Sequence, residues 1–233
     1  DHYNKFKAER NLLKPGEKYK RLLTALLLKY NIHNNTTVQI KNTFVDCVDK
    51  MSGFSSIVHP HFDLAIIKFN DFSKIQCTDF AIFKKDTSKI KQGKYLCRLG
   101  FPFPEFTNFT YNKSNDDIGW ISTGKNGSPI FPIEGMITRF LADQNGKYGI
   151  ELSTPGLRGQ SGGPLFDSDG IVYGMQSRTK HLHLGFDIEN TEILSKGQFK
   201  KVSDYSFIHL GECIDVDVIK AFLKLHKISF KEQ

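Results

Sequence analysis
The sequence predicts an all-β fold, opened by a basic helical segment and closed by a terminal helix. Three observations predict it. Short segments rich in β-branched and aromatic residues recur from residue 38 to residue 176. Turn signals such as Ser52-Gly53, Gln144-Asn145-Gly146 and Asp167-Ser168-Asp169-Gly170 separate them. These segments never alternate with helical patterns, as the βα units of a parallel sheet would. Helical periodicity is confined to the two ends of the chain.

Taken in order, residues 4–31 read as helix. Tyr19, Leu22, Leu23, Leu26, Leu27 and Tyr30 recur at i, i+3, i+4, i+7, i+8 and i+11, which is one helical face, and lysines occupy the other. Pro15 and Gly16 stand where a new helix would begin, so two helices are expected to meet there. After the polar stretch 31–37, strands are expected over 38–48, 56–59, 63–69, 95–99, 135–141, 149–152, 164–166 and 171–176. A last helix is expected over 217–227, where Val218, Ile219, Phe222 and Leu223 line one face. No internal repeat or low-complexity tract interrupts the pattern.

At 233 residues and 39% hydrophobic content the chain is long enough to bury a sizeable core, and 20 Phe, 8 Tyr and one Trp argue against disorder. The densest apolar run, Leu22 to Leu28, is seven residues long, against the roughly 18–20 of a membrane-spanning helix, so no membrane partner is expected. The first residues are polar and lysine-rich, unlike a cleavable signal peptide, and a cytoplasmic location is the expectation. The chain opens on Asp1 rather than Met, from which an upstream portion is expected.

Of the formal net charge of +7, residues 1–42 carry +6 and the remainder only +1. The simplest account is the solvated face of an amphipathic helix. An acidic partner at the basic helices of 1–42 is the alternative, and a nucleic acid is the lesser one. Cys47, Cys77, Cys97 and Cys213 show neither a CxxC pair nor a metal-ligand rhythm. Four scattered thiols suit a reducing compartment at least as well as two disulfides.

The stretch that carries chemistry is Gly159-Gln160-Ser161-Gly162-Gly163-Pro164. Its five fixed positions, G-x-S-G-G-P, arise by chance in roughly 3 of 10,000 chains of this length. A serine nucleophile needs its hydroxyl exposed on a tight turn, and flanking glycines let the backbone approach a substrate carbonyl. The backbone N–H groups of Gly159 and Ser161 can then point together at a developing oxyanion.

This hexapeptide resembles the nucleophile motif of the chymotrypsin/trypsin-like serine peptidases. A second element lies 98 residues before Ser161, where Asp63-Leu64-Ala65-Ile66-Ile67 resembles the family strand whose Asp orients the catalytic histidine. Gly100-Phe101-Pro102 is similar to a turn of the bacterial trypsin-like branch, and Tyr173-Gly174-Met175-Gln176-Ser177 to the strand forming one wall of the substrate cleft. The resemblance covers about residues 38–225. It implies two antiparallel six-stranded barrels, the first incomplete, divided as 1–37, 38–110 and 111–233. It also implies a serine endopeptidase acting on protein or peptide through an acyl-enzyme at Ser161, without cofactor or metal. Asp63 would be the orienter, Gly159 and Ser161 the oxyanion donors, and Gln176, Ser177 and Pro155 the substrate contacts. Pro155 stands where trypsin carries its pocket-floor Asp, so a preference for Arg or Lys is not implied. Gln160 stands where cleavage-activated members carry an Asp that pairs with a new N-terminus. Arg158 beside the cleft reads as a surface residue.

The histidine base is the gap in this pattern. The nearest imitation of its setting, Leu23-Thr24-Ala25-Leu26-Leu27, belongs to the helical stripe. The histidine lies upstream of Asp1, or is His2, or is absent. In the last case the chain is an inactive trypsin-like fold that binds a peptide or partner. His59 and His61, around Pro60, read as structural. His181 and His183 alternate along a strand-like run without a third metal ligand. Gly159-Gln160-Ser161-Gly162-Gly163 also satisfies the G-x-S-x-G elbow of an α/β-hydrolase esterase, with Asp187 and His209 following in order. That elbow requires a helix after the serine, where Gly162-Gly163-Pro164 would begin one poorly.

Overall fold
Helices α1 (His2–Asn11) and α2 (Tyr19–Lys29) flank Pro15 and Gly16, as the apolar stripe predicts. Phe6, Leu26 and Tyr30 are buried between them, and Glu9 takes hydrogen bonds from Lys29 Nζ and Tyr30 Oη at 2.7 Å each. The structure is a computed structural model that describes residues 2–16, 18–33, 36, 44–112, 117–125, 127–182, 190–202 and 208–233. Two units pack separately. One comprises 1–44 with 109–121, and the other 45–108 with 122–233. The first holds the helices and a hairpin, whereas the sequence places divisions after 37 and after 110.

The strands are β1 (Gly53–Val58), β2 (Ala65–Asn70), β3 (Ile82–Phe83), β4 (Tyr95–Arg98), β5 (Phe109–Asn112), β6 (Asp117–Trp120) and β7 (Ile133–Asp143). They continue with β8 (Gly146–Leu152), β9 (Pro164–Phe166), β10 (Ile171–Leu182), β11 (Thr191–Ser195), β12 (Gln198–Val202), β13 (Ile208–Asp215) and β14 (Lys231–Glu232). In the larger unit the pairings run β13–β8–β7–β4–β9–β10 and return from β10 to β13. Six antiparallel strands thus close on themselves, which leaves the ring without a free edge. Register shifts in β7 and β10 each insert an extra residue, bending the strands as closure requires. The short strands β3 and β14 add in parallel beside the start of β10.

Alternate residues of the ring point inward. Leu96, Ile137, Ile150, Leu152, Leu165, Ile171, Tyr173 and Cys213 form its buried core. A second cluster joins helix α3 (Val216–Leu225) to the segment before β2, with Leu64, Ile214, Ile219 and Phe222 buried together. Asp215 caps α3 by accepting a hydrogen bond from Asp217 N at 2.9 Å, an arrangement worth about 1 kcal/mol. Leu64 therefore ties the start of β2 to the ring, and Asp63 is fixed by its neighbour's burial.

Regular structure among the described residues is mostly strand, in one closed six-stranded ring with β3 and β14 beside it and the two-stranded hairpins β1–β2, β5–β6 and β11–β12. Of the strand expected over 38–48, residues 38–43 lie outside the described residues. Residues 44–48 form turns that end in a single bridge between Val48 and Ile75. No helix among the described residues is long and apolar enough to cross a membrane.

Candidate active site
Ser161 sits on an exposed turn leading into β9, and the turn is laced to β10 by two backbone bonds. Gly162 N donates to Gln176 O at 2.8 Å, and Gln176 N to Gly163 O at 2.9 Å. Glycine is required at 159, where φ is +95° and an added Cβ would stand 2.5 Å from Phe101 O. The strand–turn–strand order after Ser161 leaves no helix to complete an α/β-hydrolase elbow.

The amides of this turn divide into two sets. Gln160 N, Gly162 N and Gly163 N are committed to Leu157 O, Gln176 O and Gln160 O. Gly159 N and Ser161 N donate no hydrogen bond among the described residues. A tetrahedral oxyanion would require two such uncommitted donors. Gln160 holds the turn in this state. Its buried side chain accepts from Leu157 N at 2.9 Å through Oε1 and donates to Phe131 O at 3.2 Å through Nε2.

Ser177 is the extra residue of a bulge, since the register passes from Gln176–Cys213 to Arg178–Glu212. A bulge re-aims the groups of its extra residue, and Ser177 turns both of them on the site. Its carbonyl accepts from Ser161 Oγ at 3.3 Å, and its hydroxyl donates to Asp63 Oδ2 at 2.9 Å. Ser161 and Asp63, far apart in sequence, thus meet at one residue. A cavity of about 370 Å³ adjoins Asp63 and Ser177, lined also by His61, Phe62, Tyr148 and Arg178 among others.

Pro155 and Gln176 are both engaged by Arg98. Pro155 O accepts from Arg98 Nη2 at 3.0 Å, and the buried Gln176 accepts from Arg98 Nη1 at 2.6 Å through Oε1. Arg98 itself is fully buried, with no carboxylate at ion-pair distance among the described residues, and burial holds its pKa below the usual arginine value. Neither Arg98 nor the pillar formed by Gln160 stands out in the sequence. A lone Arg ending a short strand and a Gln before a serine carry no pattern.

None of the described histidines is hydrogen-bonded to Ser161 or Asp63. His2 Nε2 pairs with Tyr30 O at 3.0 Å. His59 Nδ1 accepts from His61 N and Phe62 N at 3.2 Å each, and the ring packs on Phe62 and Phe222. Burial, then the neighbouring His61, lowers the His59 pKa. His181 and His209 face each other across β10 and β13 with their Nδ1 atoms 2.7 Å apart. His183 and Asp187 lie outside the described residues. Among the described residues no group of three or more His, Cys, Asp or Glu is placed to hold a metal, and all four cysteines are free thiols. No protein-family model matches the chain, and no curated protein matches it.

Proposed function
We propose that the chain carries the nucleophile, the orienting carboxylate and the oxyanion turn of a trypsin-like serine endopeptidase. The observation that supports this most is the convergence at Ser177, which brings Ser161 Oγ and the Asp63 carboxylate to opposite ends of one residue. An imidazole seated against Asp63 and within reach of Ser161 Oγ would take the proton from that oxygen as it attacks a peptide carbonyl. The oxyanion would draw on Gly159 N and Ser161 N. The imidazolium would then protonate the leaving amine, and water activated by the same base would release the acyl group. None of the described histidines is bonded to Asp63, so that base would have to be another histidine. The six-stranded ring is the second barrel of this architecture and the hairpin β1–β2 a part of the first.

A second reading, an inactive trypsin-like fold that binds a peptide, is favoured by the lack of a histidine bonded to Asp63 among the described residues. A fluorophosphonate separates the two, because it labels only a serine that is activated. Labelling of the chain that is abolished in Ser161→Ala supports the peptidase. A chain that stays unlabelled under conditions that label trypsin supports the binding module.

A further inference from the structure
We propose that His181 and His209 form a two-histidine chelate for a divalent transition metal of right-angled coordination, Ni2+ or Cu2+ in preference to Zn2+. The site does not depend on any chemistry at Ser161. Imidazole nitrogen is the commonest protein ligand for such ions. Neither histidine has a part in the serine turn, the bulge at Ser177 or the Asp63 contact.

The ladder between β10 and β13 sets the two residues side by side. His181 is the register partner of His209, between the pairs Lys180–Leu210 and Leu182–Ile208. Both strands belong to the closed ring, so backbone hydrogen bonds fix their separation before any ligand arrives. Directly opposed residues of an antiparallel pair share one face, and here the Nδ1 atoms approach to 2.7 Å. Only one of the two can carry the hydrogen of that contact. A metal ion that displaces it meets two lone pairs already brought together.

The separation selects the metal. With metal–nitrogen bonds of about 2.0–2.1 Å, two ligands at a right angle stand about 2.9 Å apart, and two at the tetrahedral angle about 3.3 Å apart. The observed 2.7 Å is nearer the right-angled value. Square-planar and tetragonal sites suit Cu2+ and Ni2+, and the affinity order of first-row ions also sets Cu2+ highest. Both residues are exposed, which leaves water to fill the remaining positions. Alternation along β10 turns Lys180 to the opposite face. The next pair on the histidine face, Thr179 and Gly211, carries no charge, so no described cation on that face of either strand opposes the metal.

Calorimetric titration of the full chain with Ni2+, and separately with Zn2+, tests this. Loss of a partner outside the ligand shell already costs about 10–100-fold in metal affinity, so His181→Ala and His209→Ala are each expected to weaken Ni2+ binding about a hundredfold or more. The double variant should bind no more weakly than either single one, because one missing ligand already abolishes the chelate. The remaining histidines and the four thiols are common to every variant, so the difference isolates the pair. In the unaltered chain, the electron paramagnetic resonance of bound Cu2+ is expected to show two equatorial imidazole nitrogens, a readout that needs no variant to fold. Ni2+ bound equally by all the proteins overturns the proposal, and so does Zn2+ bound as tightly as Ni2+. A Cu2+ spectrum with a single nitrogen overturns it as well.

Discussion
Ser177 donates a hydrogen bond from its hydroxyl to Asp63 Oδ2 over 2.9 Å, across 114 residues of chain. Asp63 is exposed and makes no other side-chain hydrogen bond among the described residues, so this bond fixes its rotamer. A hydrogen bond to a charged group contributes about 1.5–3 kcal/mol, and exposure puts this one at the low end. Ser177→Ala is expected to slow fluorophosphonate labelling of Ser161 about tenfold while leaving the thermal midpoint nearly unchanged. An unchanged labelling rate would remove Asp63 from the site.

A cavity that holds Asp63 at its edge and lacks a bonded histidine should accept imidazole from solution. Imidazole at about 0.1 M is expected to accelerate labelling of the chain about tenfold or more, the lower range of general-base assistance. Asp63→Ala should lose most of that acceleration, because nothing then orients the ring. An acceleration equal in both proteins would mean that imidazole acts from bulk solvent.

The turn at Ser161 is legible in the sequence because Gly159 and Gly163 have no room for a Cβ and Gly159 and Gly162 have positive φ, and glycines set so close together leave a pattern. The helices and most ring strands are legible for a related reason, since each shows an apolar period matched to one buried face. Strand β13 is not, although it closes the ring. Gly211 interrupts it, and Glu212 is buried while pairing with Arg178, so no apolar alternation marks it. The bulge at Ser177 is equally silent, being a matter of register between two strands rather than of residue type. Arg98 owes its place to carbonyl groups on a distant turn, which no local pattern records.

Two glycines of the turn differ in a way that separates backbone conformation from crowding. Gly159 and Gly162 have φ of +95° and +83°, but an added Cβ meets Phe101 O at 2.5 Å in the first and open space in the second. Gly162→Ala is expected to cost about 1 kcal/mol, from the left-handed backbone alone. Gly159→Ala is expected to cost about 3 kcal/mol and to abolish labelling, because relief of the clash rotates the Gly159 amide away from the oxyanion. Urea unfolding of both variants measures the difference, and equal losses would count against the crowding at Phe101.

Acid should find a specific weak point at Asp49. Its carboxylate accepts from Ser73 Oγ at 2.6 Å and Lys74 N at 2.9 Å, and these bonds hold its pKa at about 2. A carboxyl depressed on folding stabilises the native state above its unfolded value near 4, and the contribution disappears as pH falls from there to about 2. Asp49→Asn is expected to lower the urea midpoint at pH 6, with the two proteins converging below about pH 2. A gap that stays constant across that window would mean that the charge plays no part.

Arg98, by contrast, is expected to contribute independently of pH. Its four described acceptors are Gln176 Oε1, Thr154 O, Thr154 Oγ1 and Pro155 O, and none of them titrates. Replacing it by Met leaves buried acceptors without a donor, at a cost of about 3 kcal/mol. Lys keeps the charge but not the planar fork that reaches several acceptors at once, and about 2 kcal/mol is expected to be lost there. Because no carboxylate takes part, both losses should be the same at pH 5 and pH 8. An ordinary ion pair would instead weaken as its acid protonates. Urea unfolding of Arg98→Lys at the two pH values decides between them: a loss that shrinks at pH 5 would show that a carboxylate balances the guanidinium after all.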